Sequence, residues 1–106
     1  MFVAWTTVAT PAEAERLAGE IVRRRLAACV QIEGPIRSYF LWDGKTEAID
    51  EFRLCLKFLP AQFEPLEAYV LANHPYDTPE WIVVRAESVA GKYLSWAEAN
   101  STNPPL

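Results

Sequence analysis

The chain alternates between the two-residue period of a strand and the three-to-four-residue period of a helix. Phe2 to Ala9 is rich in β-branched and aromatic residues and predicts a first strand. Thr10-Pro11-Ala12-Glu13 follows, with a capping threonine, a proline at the first helical position and a glutamate three residues after the cap. That is the pattern of a capping box. Ala14, Leu17, Ala18, Ile21 and Val22 then recur at helical spacing. The helix is expected to reach about Arg25, where Arg23, Arg24 and Arg25 suit the negative end of its dipole.

From Ala28 the period returns to two. Ala28, Val30 and Ile32 alternate with Cys29, Gln31 and Glu33. After Gly34-Pro35 the strand resumes from Ile36 to Trp42, and Asp43-Gly44 is a two-residue hairpin turn. The return strand carries Phe52, Leu54, Leu56 and Phe58 on one face and Glu51, Arg53, Cys55 and Lys57 on the other. A two-residue turn at 43–44 pairs odd-numbered residues with even-numbered ones. Both apolar faces use even numbers, so one extra residue must be absorbed, and Gly34-Pro35 is the expected bulge. Pro60 opens a second helix to about Ala72 with Phe63, Leu66 and Val70 inward, irregular as far as Pro65. Trp81 to Ala86 predicts a last strand and Gly91 to Ala99 a third helix.

The order β-α-β-β-α-β with an extra C-terminal helix is the α+β, ferredoxin-like split arrangement. Right-handed crossovers place both main helices on one face of the sheet. The opposite face, with Cys29, Gln31, Cys55 and Lys57, is expected to have no helix of its own. The expected organisation is one domain over residues 1–100 and a flexible C-terminal tail over 101–106.

Composition narrows the function. The chain has 106 residues, 51% of them hydrophobic, including four tryptophans. That is more apolar material than one small domain readily buries, which points to a partner subunit. A net charge of −4 argues against nucleic acid, which needs a basic face. No apolar run is long enough for a membrane span. The N-terminus lacks a basic region and reads as a strand, not a signal peptide. Two cysteines with no secretion signal suggest free thiols in a cytoplasmic setting.

Candidate chemistry is sparse. Cys29 is read three ways: a half-buried packing residue, a thiolate ligand for a soft metal such as copper, or a nucleophile. Cys55 shares its inferred face and lies within potential reach across the hairpin. His74, the only histidine, sits in a proline-pinned loop with Tyr76, Asp77 and Glu80. It is read either as a cap for the preceding helix or as a metal ligand or acid–base group. No Cys-x-x-Cys or His-x-x-x-His spacing supports a strong metal site.

The residues Thr6-Thr7, Leu26-Ala27-Ala28-Cys29-Val30, Ser38 through Trp42-Asp43-Gly44-Lys45, Lys57, His74-Pro75-Tyr76, Pro79-Glu80, Tyr93 and Trp96 resemble the CutA family of divalent-cation-tolerance proteins. The likeness runs over nearly the whole chain, in order and spacing. It implies a long β2–β3 hairpin that pairs between subunits and a homotrimer similar to PII signalling proteins. It also implies divalent metal tolerance, with weak copper binding at Cys29 and His74, and no enzymatic activity. A metal ion is the expected cofactor, and none is needed for folding. The alternative is a PII-like module that binds a small anion or nucleotide in an intersubunit cleft formed by Lys57, Tyr76 and Glu80.

Overall fold

The computed structural model describes residues 1–101. Eight elements follow the expected order: β1 (Phe2–Val8), α1 (Pro11–Arg23), β2 (Cys29–Trp42), β3 (Lys45–Phe58), a 3-10 turn (Pro60–Gln62), α2 (Phe63–Asn73), β4 (Ile82–Arg85) and α3 (Gly91–Ser101). The four strands form one antiparallel sheet in the order β2-β3-β1-β4.

Local chemistry sets the element ends. Thr10 Oγ1 accepts from the Glu13 backbone N–H at 3.2 Å and Pro11 occupies the first turn. The reciprocal half of the expected box gives way to an ion pair, because the Glu13 carboxylate takes Arg16 at 2.7 Å. α1 stops at Arg23, short of the expected Arg25. Arg25 takes a positive φ of 59°, its N–H donates to Val22 O, and the Leu26 N–H donates to Ile21 O. That is a Schellman stop with arginine where glycine is usual. Pro65 does not disturb α2, because it falls in the first turn, where its missing N–H has no helical partner to lose. Gln62 joins the two halves: its amide donates to Arg25 O and accepts from the Leu59 N–H, each at 2.8 Å.

The core lies between the sheet and α1 with α2. Ala4 and Val8 of β1, Leu54, Leu56 and Phe58 of β3, Ala14, Leu17 and Ile21 of α1, and Leu66 and Val70 of α2 are fully buried. Val22, expected inward, lies exposed at the rim.

The register confirms the parity argument. Trp42 pairs with Lys45 and Ile36 with Glu51, whereas Glu33 pairs with Arg53 and Cys29 with Lys57. The shift falls at Gly34-Pro35, where two residues face Phe52 alone. On β3, β1 pairs only with Phe52 to Phe58. The distal hairpin, 36–51, therefore extends as a two-stranded ribbon with no third strand among the described residues. α3 runs to Ser101, past the expected Ala99, and brings the Tyr93 ring to 5.9 Å from the Lys57 ammonium. The face expected to lack a helix thus has one at its Lys57 end. The expected flexible tail beyond Ser101 lies outside the described residues.

Candidate functional site

Two groups of side chains carry chemistry, at different places on the sheet. The first is built by the loop after α2, at the end of β1. His74 caps α2, and its ring reaches β1: Nε2 lies 3.0 Å from both Thr6 Oγ1 and Thr7 O. The Tyr76 backbone N–H donates to Nδ1 at 3.0 Å. A backbone N–H can only donate, so Nδ1 is unprotonated and the proton sits on Nε2, shared toward the Thr7 carbonyl. Both nitrogens are therefore committed. Burial pushes the His74 pKa down from its ordinary value; the bond to Thr7 and the charges of Glu13 and Glu51 oppose this without cancelling it.

The same loop carries Tyr76 past the end of β1 to β3. Its hydroxyl donates to Glu51 Oε2 at 2.9 Å. Glu51 is only 7% exposed. Burial first, then the Glu51 carboxylate, pushes the Tyr76 phenol up to about 12, so it stays a donor at neutral pH. Threonines 6 and 7 and Glu51 were not singled out as partners from the sequence. The separation of 67 and 68 residues between His74 and its threonines leaves no local pattern to read.

The second group lies on the face opposite the core. Cys29 pairs in register with Lys57, and Gln31 pairs with Cys55. Both thiols are half-buried and free. Burial pushes the Cys55 thiol up, against the pull of Lys57. Between the two groups lies a shallow groove of about 420 Å³ lined by Trp5, Thr7, Ile36, Ser38, Arg53, Glu80 and Ile82.

The expected site residues do not converge within one chain. Cys29 faces away from the core, whereas His74 bonds the buried Thr6 on the core side. Thr7 is level with Arg53 and Glu33, four residues along β2 from Cys29, or about 13 Å. Of the expected cleft residues, Glu80 lines the groove, Tyr76 is latched to Glu51, and Lys57 lies near Tyr93 at the other end. The groove's cation is Arg53, already held by Glu33 at 3.0 Å, which weakens the case for an anion pocket. Among the described residues, no three or more His, Cys, Asp or Glu side chains gather as a metal cluster. Among the same residues, no helix is long and apolar enough to cross a membrane.

A family model described as CutA1 divalent ion tolerance protein matches residues 2–100. The chain is similar to Protein CutA, chloroplastic, of Arabidopsis thaliana, with 38% identity over 95% of this chain and 56% of that protein. It is similar to Protein CutA 1, chloroplastic, of Oryza sativa subsp. japonica, with 39% identity over 94% of this chain and 56% of that one. The chain thus spans a little over half the length of these plant relatives. Among solved structures, the periplasmic divalent cation tolerance protein CutA from Archaeoglobus fulgidus superposes with a TM-score of 0.90 at 34% identity, covering 96% of this chain and all (100%) of that one. These names overturn the cytoplasmic expectation. Relatives of the same fold are chloroplastic or periplasmic, so free thiols do not fix the compartment.

Proposed function

This chain belongs to the CutA1 divalent ion tolerance family, and from that premise we propose that it serves metal tolerance as a self-assembled trimer that binds a soft transition-metal ion weakly at Cys29. The observation that carries the reading is the half-buried free thiol of Cys29 on the face away from the core, beside Lys57. A thiolate selects copper(I) over the harder ions. An ammonium across the strand offsets the negative charge that a ligating sulfur carries. His74, expected as a second donor, has no free lone pair while Nδ1 accepts from Tyr76, so its role here is to hold the loop. The trimer reading is supported by apolar side chains left in solvent on the hairpin, with Tyr39 72% and Leu41 73% exposed.

The reading assigns no catalysis. A nucleophilic cysteine needs a neighbouring base or a cationic environment; the chain's one histidine lies on the other side of the sheet, and in this reading the Lys57 ammonium balances the ligating sulfur. The test is a competition titration of the reduced protein with copper(I) against a chromogenic chelator. Cys29→Ser is expected to weaken binding at least tenfold, and His74→Gln to leave it unchanged. A Cys29→Ser protein that binds copper as the parent does refutes the reading.

A further inference from the structure

Cys55 sits diagonally across the β2–β3 ladder from Cys29. Cys29 is level with Lys57, and Cys55 is level with Gln31, so the two cysteines are offset by one step on the same face. Each is half-buried, and neither is bonded to the other. Diagonal neighbours on a shared face are separated by about 7–8 Å between Cα atoms, with the Cβ atoms somewhat closer. A disulfide requires the Cα atoms within roughly 7 Å and joins the sulfurs through one bond of about 2.0 Å. The diagonal is at or beyond that limit. A metal ion placed between the sulfurs lengthens the link to two bonds of about 2.3 Å each, judged by thiolate–zinc distances. A span at the upper limit for a disulfide suits a bridging cation.

We propose that Cys29 and Cys55 together form a two-thiolate seat for one soft monovalent cation per chain, copper(I) or silver(I). The proposal deepens the cation reading above and rests on it. The chemistry balances without a redox partner. Two thiols lose two protons, two sulfur–metal bonds form, and the bis-thiolate complex of a monovalent ion carries one negative charge. Lys57, opposite Cys29 and two residues from Cys55, supplies the compensating positive charge. Tyr93 lies beneath that ammonium at 5.9 Å. Gln31 flanks both sulfurs, two residues from Cys29 on β2 and level with Cys55. Glu33, the other diagonal neighbour of Cys55, is tied to Arg53 at 3.0 Å, and two soft donors favour a monovalent ion of low coordination number over zinc, which takes four ligands. Both thiols must lose their protons to bind the ion, so binding tightens as pH rises.

The experiment uses the full chain, reduced and anaerobic, titrated with copper(I) against a chelator and with silver(I), monitored by the ultraviolet thiolate-to-metal band. One equivalent per chain is expected. Cys55→Ser and Cys29→Ser are each expected to lose affinity by about 10–100-fold, and the parent affinity is expected to rise between pH 6 and 8. Cys55→Ala serves as a second variant, because alanine at this half-buried position removes the sulfur without adding a polar group. Parent-like binding by both Cys55 variants, with loss only in Cys29→Ser, overturns the paired seat and leaves the single-thiol reading standing. Parent-like binding by Cys29→Ser overturns both. Quantitative conversion of the metal-free chain to an intramolecular disulfide by a mild oxidant also overturns the seat, because it shows that the sulfurs close without a bridge.

Discussion

At the scale of single residues, His74 is the position where geometry most restricts chemistry. Its imidazole serves as an acceptor at Nδ1 and a donor at Nε2, tying the α2 exit to both β1 and its own loop. Protonation would place a second hydrogen on Nδ1, facing the Tyr76 N–H that now donates to it. Burial lowers the folded-state pKa below the ordinary value of 6.5, with Arg16 acting in the same direction and Glu13 and Glu51 against it. The unfolded chain therefore binds a proton more readily than the folded one, and stability rises with pH across that interval. The contribution is fully present above about pH 6.5 and is lost as pH falls through the depressed folded value. Urea midpoints at pH 7 and pH 5.5 are expected to drop more for the parent than for His74→Gln, which has no charge to gain. Equal drops would show that the histidine is not the group responsible.

Among the elements, two glycines make opposite predictions for one substitution. Gly34 sits at the bulge, and a Cβ there would lie 2.4 Å from Phe52 Cδ1. Phe52 packs against the core, so its ring has little room to retreat. Gly34→Ala is expected to destabilise the protein by about 1–3 kcal/mol. Gly19 lies in the exposed interior of α1, where a methyl group would meet nothing within 4 Å, so the same change should stabilise by about 0.5–1 kcal/mol. Chemical denaturation of both variants checks the pair, and a neutral Gly34→Ala would show that the bulge tolerates a side chain. This element was legible in the sequence because strand alternation fixes parity and the turn fixes register, which left Gly34-Pro35 as the place for the extra residue. The open-face neighbours Cys29 and Cys55 were legible for the same reason. The latch at His74 was not, because Thr6, Thr7 and Glu51 reach it only through the tertiary fold. Gln62 was hidden likewise, since its partner Arg25 O belongs to a helix stop that the arginine-rich sequence disguised as continued helix.

Considered as a whole molecule, the chain is extended: 49 × 31 × 21 Å with a radius of gyration of 14.8 Å, against about 13 Å for a compact domain of this length. The hairpin accounts for the excess. Beyond Glu51 it has no neighbour in the sheet, and an isolated two-stranded ribbon is only marginally stable in water. Its β2 strand is apolar on both faces near the tip, with Tyr39 and Leu41 alternating against Phe40 and Trp42, and Trp42 is 63% exposed. Alternation normally gives one wet face, so these four side chains call for cover that the described residues do not provide. In the proposed trimer, further copies of the same chain would supply apolar surface of matching length, and closed rotational symmetry would satisfy every hairpin equally. The double variant Leu41→Lys with Trp42→Lys is expected to sediment as a monomer, and the parent as the proposed trimer. Its melting temperature is expected to fall and to lose the concentration dependence of the parent, because association no longer stabilises the fold. The core residues are untouched by these changes, so the monomer should keep its helical and sheet signature in circular dichroism. A parent chain that sediments as a monomer at micromolar concentration would refute the assembly and leave the exposed hairpin without a partner.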